Sequence, residues 1–216
     1  MAASSTAAIL AAAVVAVISL LLASTSSASS RSFSAAADGA ATNTEFIRTS
    51  CSATAYPQLC YSSLAVHATK IQTSAKLLAT AALDVSLASA RSTSAAMARL
   101  QQSQGLSPRE TAAMRDCLEE LGDSVDLIRQ SIDEMKPINK AQPNGSFSAH
   151  FEMMISDVQT WVSAALTEES TCNDGFVGKS MAAGEMKTVV RGEIETIAHL
   201  TSNALALINA YATHHL

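Results

Sequence analysis

The residues of this sequence whose possible chemistry depends most directly on spacing are its four cysteines, Cys51, Cys60, Cys117 and Cys172. Such cysteines can bind zinc, remain free buried thiols or form disulfides. They include no CxxC pair and have no neighbouring pair of histidines, which argues against a zinc site. Their even number, behind an apolar N-terminal segment, is typical of the disulfides of a secreted protein.

Carboxylates cluster around and just after the third cysteine, in the segment DCLEELGDSVD. Glu119, Asp123 and Asp126 are spaced by four and three residues, which places them on one face of a helix. Such a face is either a solvated outer surface or a contact surface for a basic partner. The spacing is compatible with both interpretations.

Catalytic motifs are missing from the sequence. It contains no GxSxG, no HExxH and no Glu-x-x-His pair of the kind that di-iron bundles use. Gly178-Lys179-Ser180 matches the end of a phosphate-binding loop, but Asn173 stands where the first glycine is needed. His67, His150 and His199 are far apart in the chain. The sequence therefore predicts no enzyme, no metal site and no cofactor.

An apolar run over residues 7–23 precedes the first charged side chain, Arg31. The run is short for a membrane span of about 20 residues, and small residues follow it, as in a secretory signal peptide. We predict a signal peptide over residues 1–28, with an uncleaved membrane anchor as the alternative, and a flexible leader over residues 29–43. We expect the mature protein to be secreted and to lack a membrane segment.

The rest of the chain has helical periodicity. Hydrophobic residues make up 48% of the sequence and aromatic residues only 4%, which favours closely packed helices. Apolar positions alternate between spacings of three and four, and they predict four long helices at about residues 68–104, 108–136, 147–172 and 179–212. Ser107 and Glu110 form a capping box around Pro108 at the start of the second of these helices.

These features predict an all-α fold, an antiparallel up-down-up-down four-helix bundle. The three-four spacing is that of helices packed at about 20° to each other, and short connections make successive helices antiparallel. The formal net charge of -5 argues against a nucleic-acid partner.

A bundle of this kind ranks the three possible disulfide pairings. Cys51–Cys60 closes a short local loop, and Cys117–Cys172 joins the start of one long helix to the end of its antiparallel neighbour. The crossed pairings would pull the N-terminal segment onto the end of the bundle, so we rank them lower. In the loop after the second long helix, Asn144-Gly145-Ser146 matches an N-glycosylation acceptor, although Asn-Gly also suits a simple turn.

The order of these motifs is similar to that of the plant invertase/pectin methylesterase inhibitor family. The similarity rests on the Cys-x8-Cys hairpin, the helix with DCLEELGDSVD and the helix that ends in VSAALTEESTCNDGF. It covers about residues 44–212 and assigns residues 44–214 to an inhibitor domain. It implies a four-helix bundle with a short N-terminal helical hairpin, in which the first two cysteines pair and the last two pair.

The resemblance also implies a function in the cell wall. Members of the family either cover the pectin cleft of pectin methylesterase in a one-to-one complex or inhibit acid invertase with a Pro-Lys-Phe triplet. Here Pro137 is followed by Ile138 and Pro143 by Asn144, so that triplet is absent. We expect a secreted inhibitor of pectin methylesterase in the apoplast. Acid invertase is the alternative target, and a structural or ligand-binding bundle without an enzyme target is a second alternative.

The resemblance further implies where the inhibitor touches its target. By similarity, five positions around the third and fourth cysteines are expected to contact the esterase: Glu119, Asp123, Asp126, Thr171 and Asp174. One position departs from the family pattern, because Leu121 stands where an aromatic residue is often found.

Overall fold

The computed structural model describes residues 39–102, 106–137, 147–176 and 185–213. The predicted signal peptide, most of the predicted leader and the acceptor Asn144 lie outside these ranges. The chain divides into two compact units, residues 1–42 and residues 43–216. Of the first unit only residues 39–42 are described, and they are helical. The packing below is that of the second unit.

A helical hairpin forms the N-terminal part of the fold. Helix α1 covers residues 39–51 and helix α2 covers Pro57–Leu64. A 3-10 turn, Ala65–His67, and the short helix α3, Ala68–Ile71, follow. The disulfide Cys51–Cys60 joins the end of α1 to α2, with Cα atoms 5.6 Å apart. Residues 39–43, which were assigned to the leader, are thus helical, because alanine-rich sequence favours helix when no proline interrupts it.

The first long helix, α4, covers Ala75–Gln101 and begins later than the sequence predicted. The prediction ran one helix through from about residue 68, but Gln72 has a positive φ of 53° and separates α3 from α4. Ser74 then caps α4, since its Oγ accepts a hydrogen bond from the Leu77 N–H at 3.3 Å. A capping serine after a β-branched threonine was the signal available for this boundary.

Three further long helices complete the bundle: α5 covers Pro108–Met135, α6 covers Phe147–Gly175 and α7 covers Glu185–Thr213. The predicted capping box starts α5, because the Glu110 side chain accepts from the Ser107 N–H at 2.8 Å and Ser107 Oγ accepts from the Glu110 N–H at 3.3 Å. The described ranges contain no strand. None of their helices has the length and apolar character needed to cross a membrane.

The four long helices pack in a ring, with α4 against α5, α5 against α6, α6 against α7 and α7 against α4. Contacts at the helix ends show that neighbours are antiparallel. Lys76, at the start of α4, donates to the backbone oxygen of Lys136, just after α5, at 3.2 Å. Arg191, early in α7, donates to Asn173, late in α6, at 3.4 Å. The predicted up-down-up-down arrangement is confirmed.

The N-terminal hairpin is fixed to α7 through the loop between α1 and α2. The Asn203 side chain accepts from the Tyr56 N–H and donates to the Tyr56 carbonyl oxygen, both at 3.1 Å. The Tyr56 ring stacks on the His199 ring, with centroids 3.6 Å apart. The disulfide clip and this tether together hold the hairpin against the bundle.

The core consists of two apolar clusters that lie at different levels of the bundle. Between them lies a layer of buried polar side chains, one from each long helix: Ser86, Ser124, Glu169 and Thr201. We call this the polar layer. On α5, for example, Leu121 belongs to one cluster and Ile128 to the other, and Ser124 lies between them. The polar layer therefore separates the two apolar clusters of the core.

Candidate partner-binding face

The disulfide Cys117–Cys172 lies at the centre of the predicted contact region. It joins the third turn of α5 to the last turn of α6, with Cα atoms 4.4 Å apart. This is the pairing that the bundle geometry favoured. Both cysteines are buried at 2% exposure. Because the disulfide ties two antiparallel helices together at one end of the bundle, it fixes the relative positions of the side chains that flank it.

A groove of about 570 Å³ opens beside this disulfide, between α5 and α6. Its polar lining comes from both helices: Arg109, Asp116, Glu120, Thr171 and Asp174. Two of the predicted contact residues, Thr171 and Asp174, are therefore brought together at one site. The Thr171 Oγ1 donates to a backbone oxygen of its own helix at 2.9 Å, which orients the hydroxyl.

The predicted contact residues of α5 are exposed but do not line the groove. Glu119 and Asp126 are separated by two turns on the outer surface of α5. Asp126 forms an ion pair with Arg129 at 2.8 Å, with both side chains about half exposed. Asp123 lies three residues after Glu120, so it continues the side of the helix that borders the groove. The structure thus separates the five predicted residues into a pair at the groove and a group beside it.

Two carboxylates that the sequence reasoning did not single out, Asp116 and Glu120, belong to the same face. A hydrogen bond with the neighbouring Glu168 of α6, partial burial and the negative charges of Glu168 and Asp116 together raise the pKa of Glu120. The signal was present in the sequence, because Asp116, Glu120 and Asp123 are spaced by four and three residues. We call the exposed surface formed by these residues and the five predicted ones the acidic face.

The acidic face is suited to recognition of another molecule. Its exposed carboxylates can form charge-assisted hydrogen bonds with lysine or arginine side chains of a partner. Arg109 adds a positive charge at the groove, and Arg115 pairs with Asp116 at 3.1 Å. Within the described ranges, no three His, Cys, Asp or Glu side chains lie together in a way that could hold a metal ion.

Comparisons with known proteins identify the family. Residues 45–207 match the family model described as "Plant invertase/pectin methylesterase inhibitor". The chain is 46% identical to the "21 kDa protein" of Daucus carota over 83% of this chain and 90% of that one. It is 46% identical to "Pectinesterase inhibitor 11" of Arabidopsis thaliana over 77% of this chain and 80% of that one.

A solved structure supports the fold. It is titled as a mutant form of a pectin methylesterase inhibitor from Arabidopsis, and it superposes with a TM-score of 0.57 at 22% identity. The match covers 74% of this chain and 92% of that one. At this identity the likeness carries the fold alone, whereas the family model spans most of the chain. The chain belongs to the plant invertase/pectin methylesterase inhibitor family.

Proposed function

We propose that this chain is a secreted inhibitor of pectin methylesterase and that it binds the enzyme through the acidic face. The observation that carries the proposal is the 46% identity to a protein named as a pectinesterase inhibitor, over 80% of that protein's length. The two disulfides and the apolar segment at residues 7–23 fit passage through the secretory pathway to the cell wall.

The mechanism proposed is steric occlusion in a one-to-one complex. The acidic face presents carboxylates from two helices whose relative position the disulfide Cys117–Cys172 fixes. A rigid surface of this kind loses little conformational entropy on binding. The exposed carboxylates also carry the same negative charge as pectin. The acidic face can therefore contact the basic and polar groups on the rim of the enzyme's cleft that would otherwise contact pectin.

Acid invertase remains the alternative target, because the family model covers inhibitors of both enzymes. The Pro-Lys-Phe triplet of the invertase inhibitors is absent from this sequence. Titration of purified pectin methylesterase and of acid invertase with the mature protein separates the two. Loss of esterase activity near an equimolar ratio supports the proposal. Loss of invertase activity alone, or of neither activity, contradicts it.

A pair of charge substitutions tests the location of the site. Thr171→Lys combined with Asp123→Lys changes the charge on both helices of the acidic face, and we expect it to weaken inhibition by at least about tenfold. The matched control is Thr196→Lys combined with Glu193→Lys on α7. Thr196 is exposed, and its hydroxyl donates to the backbone oxygen four residues earlier at 2.8 Å. The Thr171 hydroxyl makes the same kind of bond at 2.9 Å.

The charge change is the same in the control, so a general effect of net charge would appear in both variants. Circular dichroism and the urea midpoint establish that each variant is folded. Equal inhibition by the parent and the acidic-face variant would show that the contact surface lies elsewhere. Equal loss in both variants would show that net charge, and not this face, governs binding.

A further inference from the structure

Glu169 is a buried carboxyl in the middle of the bundle. Its side chain is 0% exposed, although it is flanked in sequence by the exposed Ser170 and the half-exposed Glu168. Its Oε1 accepts hydrogen bonds from Ser124 Oγ of α5 at 2.8 Å and from Thr201 Oγ1 of α7 at 2.9 Å. Its Oε2 has no hydrogen-bond partner. The carboxyl therefore joins three helices with one oxygen and leaves the other unpaired.

The surroundings of this carboxyl favour its neutral form. Along the four long helices, the titratable residues within two positions of the polar layer are Asp84 of α4, Asp123 and Asp126 of α5, Glu168 of α6 and His199 of α7. Asp84 and Asp123 are exposed, and His199 is stacked on Tyr56. None of them shifts the pKa of Glu169.

Burial is the largest cause of the shift and raises the pKa of Glu169 to about 7, while the hydrogen bonds from Ser124 and Thr201 lower it. A buried carboxylate without a cation is costly, so a neutral carboxyl is the form that suits this site. Its ordinary value, 4.5, applies in the unfolded chain. The folded protein therefore holds a proton on Glu169 at mildly acidic pH, where the unfolded chain does not.

The partners of Glu169 connect the polar layer to the acidic face. Ser124 directly follows Asp123, and Glu169 lies two residues before Thr171. The hydrogen bond between Ser124 and Glu169 thus links α5 to α6 within one to two residues of Asp123 and Thr171. Together with Cys117–Cys172, one to two turns away, it fixes the axial register of these helices.

We propose that Glu169 is a proton-controlled positioning residue for the inhibitory face. When protonated, it holds α5, α6 and α7 in the register that presents the acidic face. When it loses its proton to solvent, the buried charge weakens the layer and the face loses its fixed geometry. The consequence for inhibition rests on the proposed function, but the consequence for the bundle does not.

The sign of the effect on stability follows from the two protonation equilibria. Because the pKa of Glu169 is raised by folding, the folded state binds more protons between about pH 4.5 and about pH 7, and its stability falls as the pH rises through this range. The unfolding equilibrium constant should rise by about two orders of magnitude across it. Glu169→Gln keeps an oxygen acceptor for both hydroxyls and cannot ionise, so it should remove this component.

The first experiment measures urea unfolding of the parent, Glu169→Gln and the matched control Glu193→Gln over this pH range. Glu193 is exposed on α7, so its variant should keep the parent's pH dependence. A flatter profile for Glu169→Gln alone is the expected result. The same slope in parent and Glu169→Gln would overturn the proposal.

A spectroscopic titration keeps the proposal testable if the glutamine variant does not fold. The 13C chemical shift of the Glu169 carboxyl should titrate near pH 7 in the folded parent. Thr201→Val removes a hydrogen bond that lowers the pKa, so its midpoint should move to higher pH. A midpoint near the ordinary value of 4.5, or no movement in Thr201→Val, would overturn the assignment of the proton to Glu169.

Inhibition of pectin methylesterase then tests the positioning role. The ratio of the inhibition constants of parent and Glu169→Gln, measured at the same pH against the same enzyme, cancels the pH dependence of the enzyme. We expect this ratio to rise at least threefold between about pH 5 and about pH 7.5. A constant ratio despite the expected titration would refute the positioning role. A parent that inhibits at no pH would refute the proposed function and leave the titration result standing.

Discussion

The two disulfides should stabilise the fold to different extents, and paired alanine variants can measure the difference. All four cysteines are equally buried, at 1–2% exposure. Replacing either pair by alanine therefore removes similar apolar contacts. The pairs differ in the loop that they close, because Cys51 and Cys60 are separated by 9 positions and Cys117 and Cys172 by 55.

The magnitude of the difference follows from the entropy of the unfolded chain. Closing the shorter loop restricts that chain by about 2–3 kcal/mol, and closing the longer loop by about 4 kcal/mol. Removing Cys117–Cys172 should thus lower the free energy of unfolding by about 1.5 kcal/mol more than removing Cys51–Cys60 does.

Urea unfolding followed by circular dichroism provides the measurement. With a denaturant slope of about 2 kcal/mol per M, the Cys117→Ala/Cys172→Ala variant should have a midpoint about 0.7 M below that of Cys51→Ala/Cys60→Ala. A protein with all four cysteines replaced tests whether the two losses are additive. If the Cys51→Ala/Cys60→Ala variant unfolds at the same or a lower urea concentration, loop closure does not govern the contribution of these disulfides.

Two further predictions concern the start of α5 and the attachment of the hairpin. Ser107→Ala should lower the free energy of unfolding by about 1 kcal/mol, because it leaves the Glu110 N–H without its capping oxygen. Thermal unfolding of Ser107→Ala and of the exposed control Ser92→Ala measures this effect. Equal melting temperatures of the two variants would contradict the prediction. Asn203→Leu should lower the free energy of unfolding by about 1–3 kcal/mol, because the backbone N–H and carbonyl of Tyr56 both lose their partner. It should also speed hydrogen exchange in α2 more than in α5. Equal acceleration in both helices would mean that Asn203 does not act as a local tether.

The architecture was predictable from the sequence because its signals are local and repeated. The three-four spacing of apolar residues continues over several turns, and a capping box marks the start of α5. The sequence did not predict the boundary before α4, because the apolar spacing continues without interruption from Ala68 into α4. Gln72 has a positive φ there, and glutamine is not a residue type that predicts a positive φ.

The acidic face was only partly predictable, for a different reason. Spacing along α5 identifies which carboxylates share a side of that helix, but it does not show which side borders α6. That depends on the rotation of α5 about its axis, which the core residues and the disulfide determine together. The position of Asp116 and Glu120 at the groove therefore could not be predicted from the spacing along α5 alone.

At Glu169 the helical spacing predicts a buried position, whereas the residue type predicts an exposed one. On α6 the buried residues Val158, Val162, Ala165 and Cys172 are spaced four, three and seven apart, and Glu169 occupies the missing step, four after Ala165 and three before Cys172. Spacing alone thus places it in the core, whereas its charge and the neighbouring Glu168 suggest a solvated surface. Burial of a glutamate needs a physical reason, since a leucine would pack there at lower cost. Two hydroxyl donors from neighbouring helices satisfy one oxygen of the carboxyl. The remaining cost of burial is smallest when the carboxyl is neutral, and burial accordingly raises its pKa. A residue of this kind links the stability of the bundle to pH in a way that an apolar core cannot.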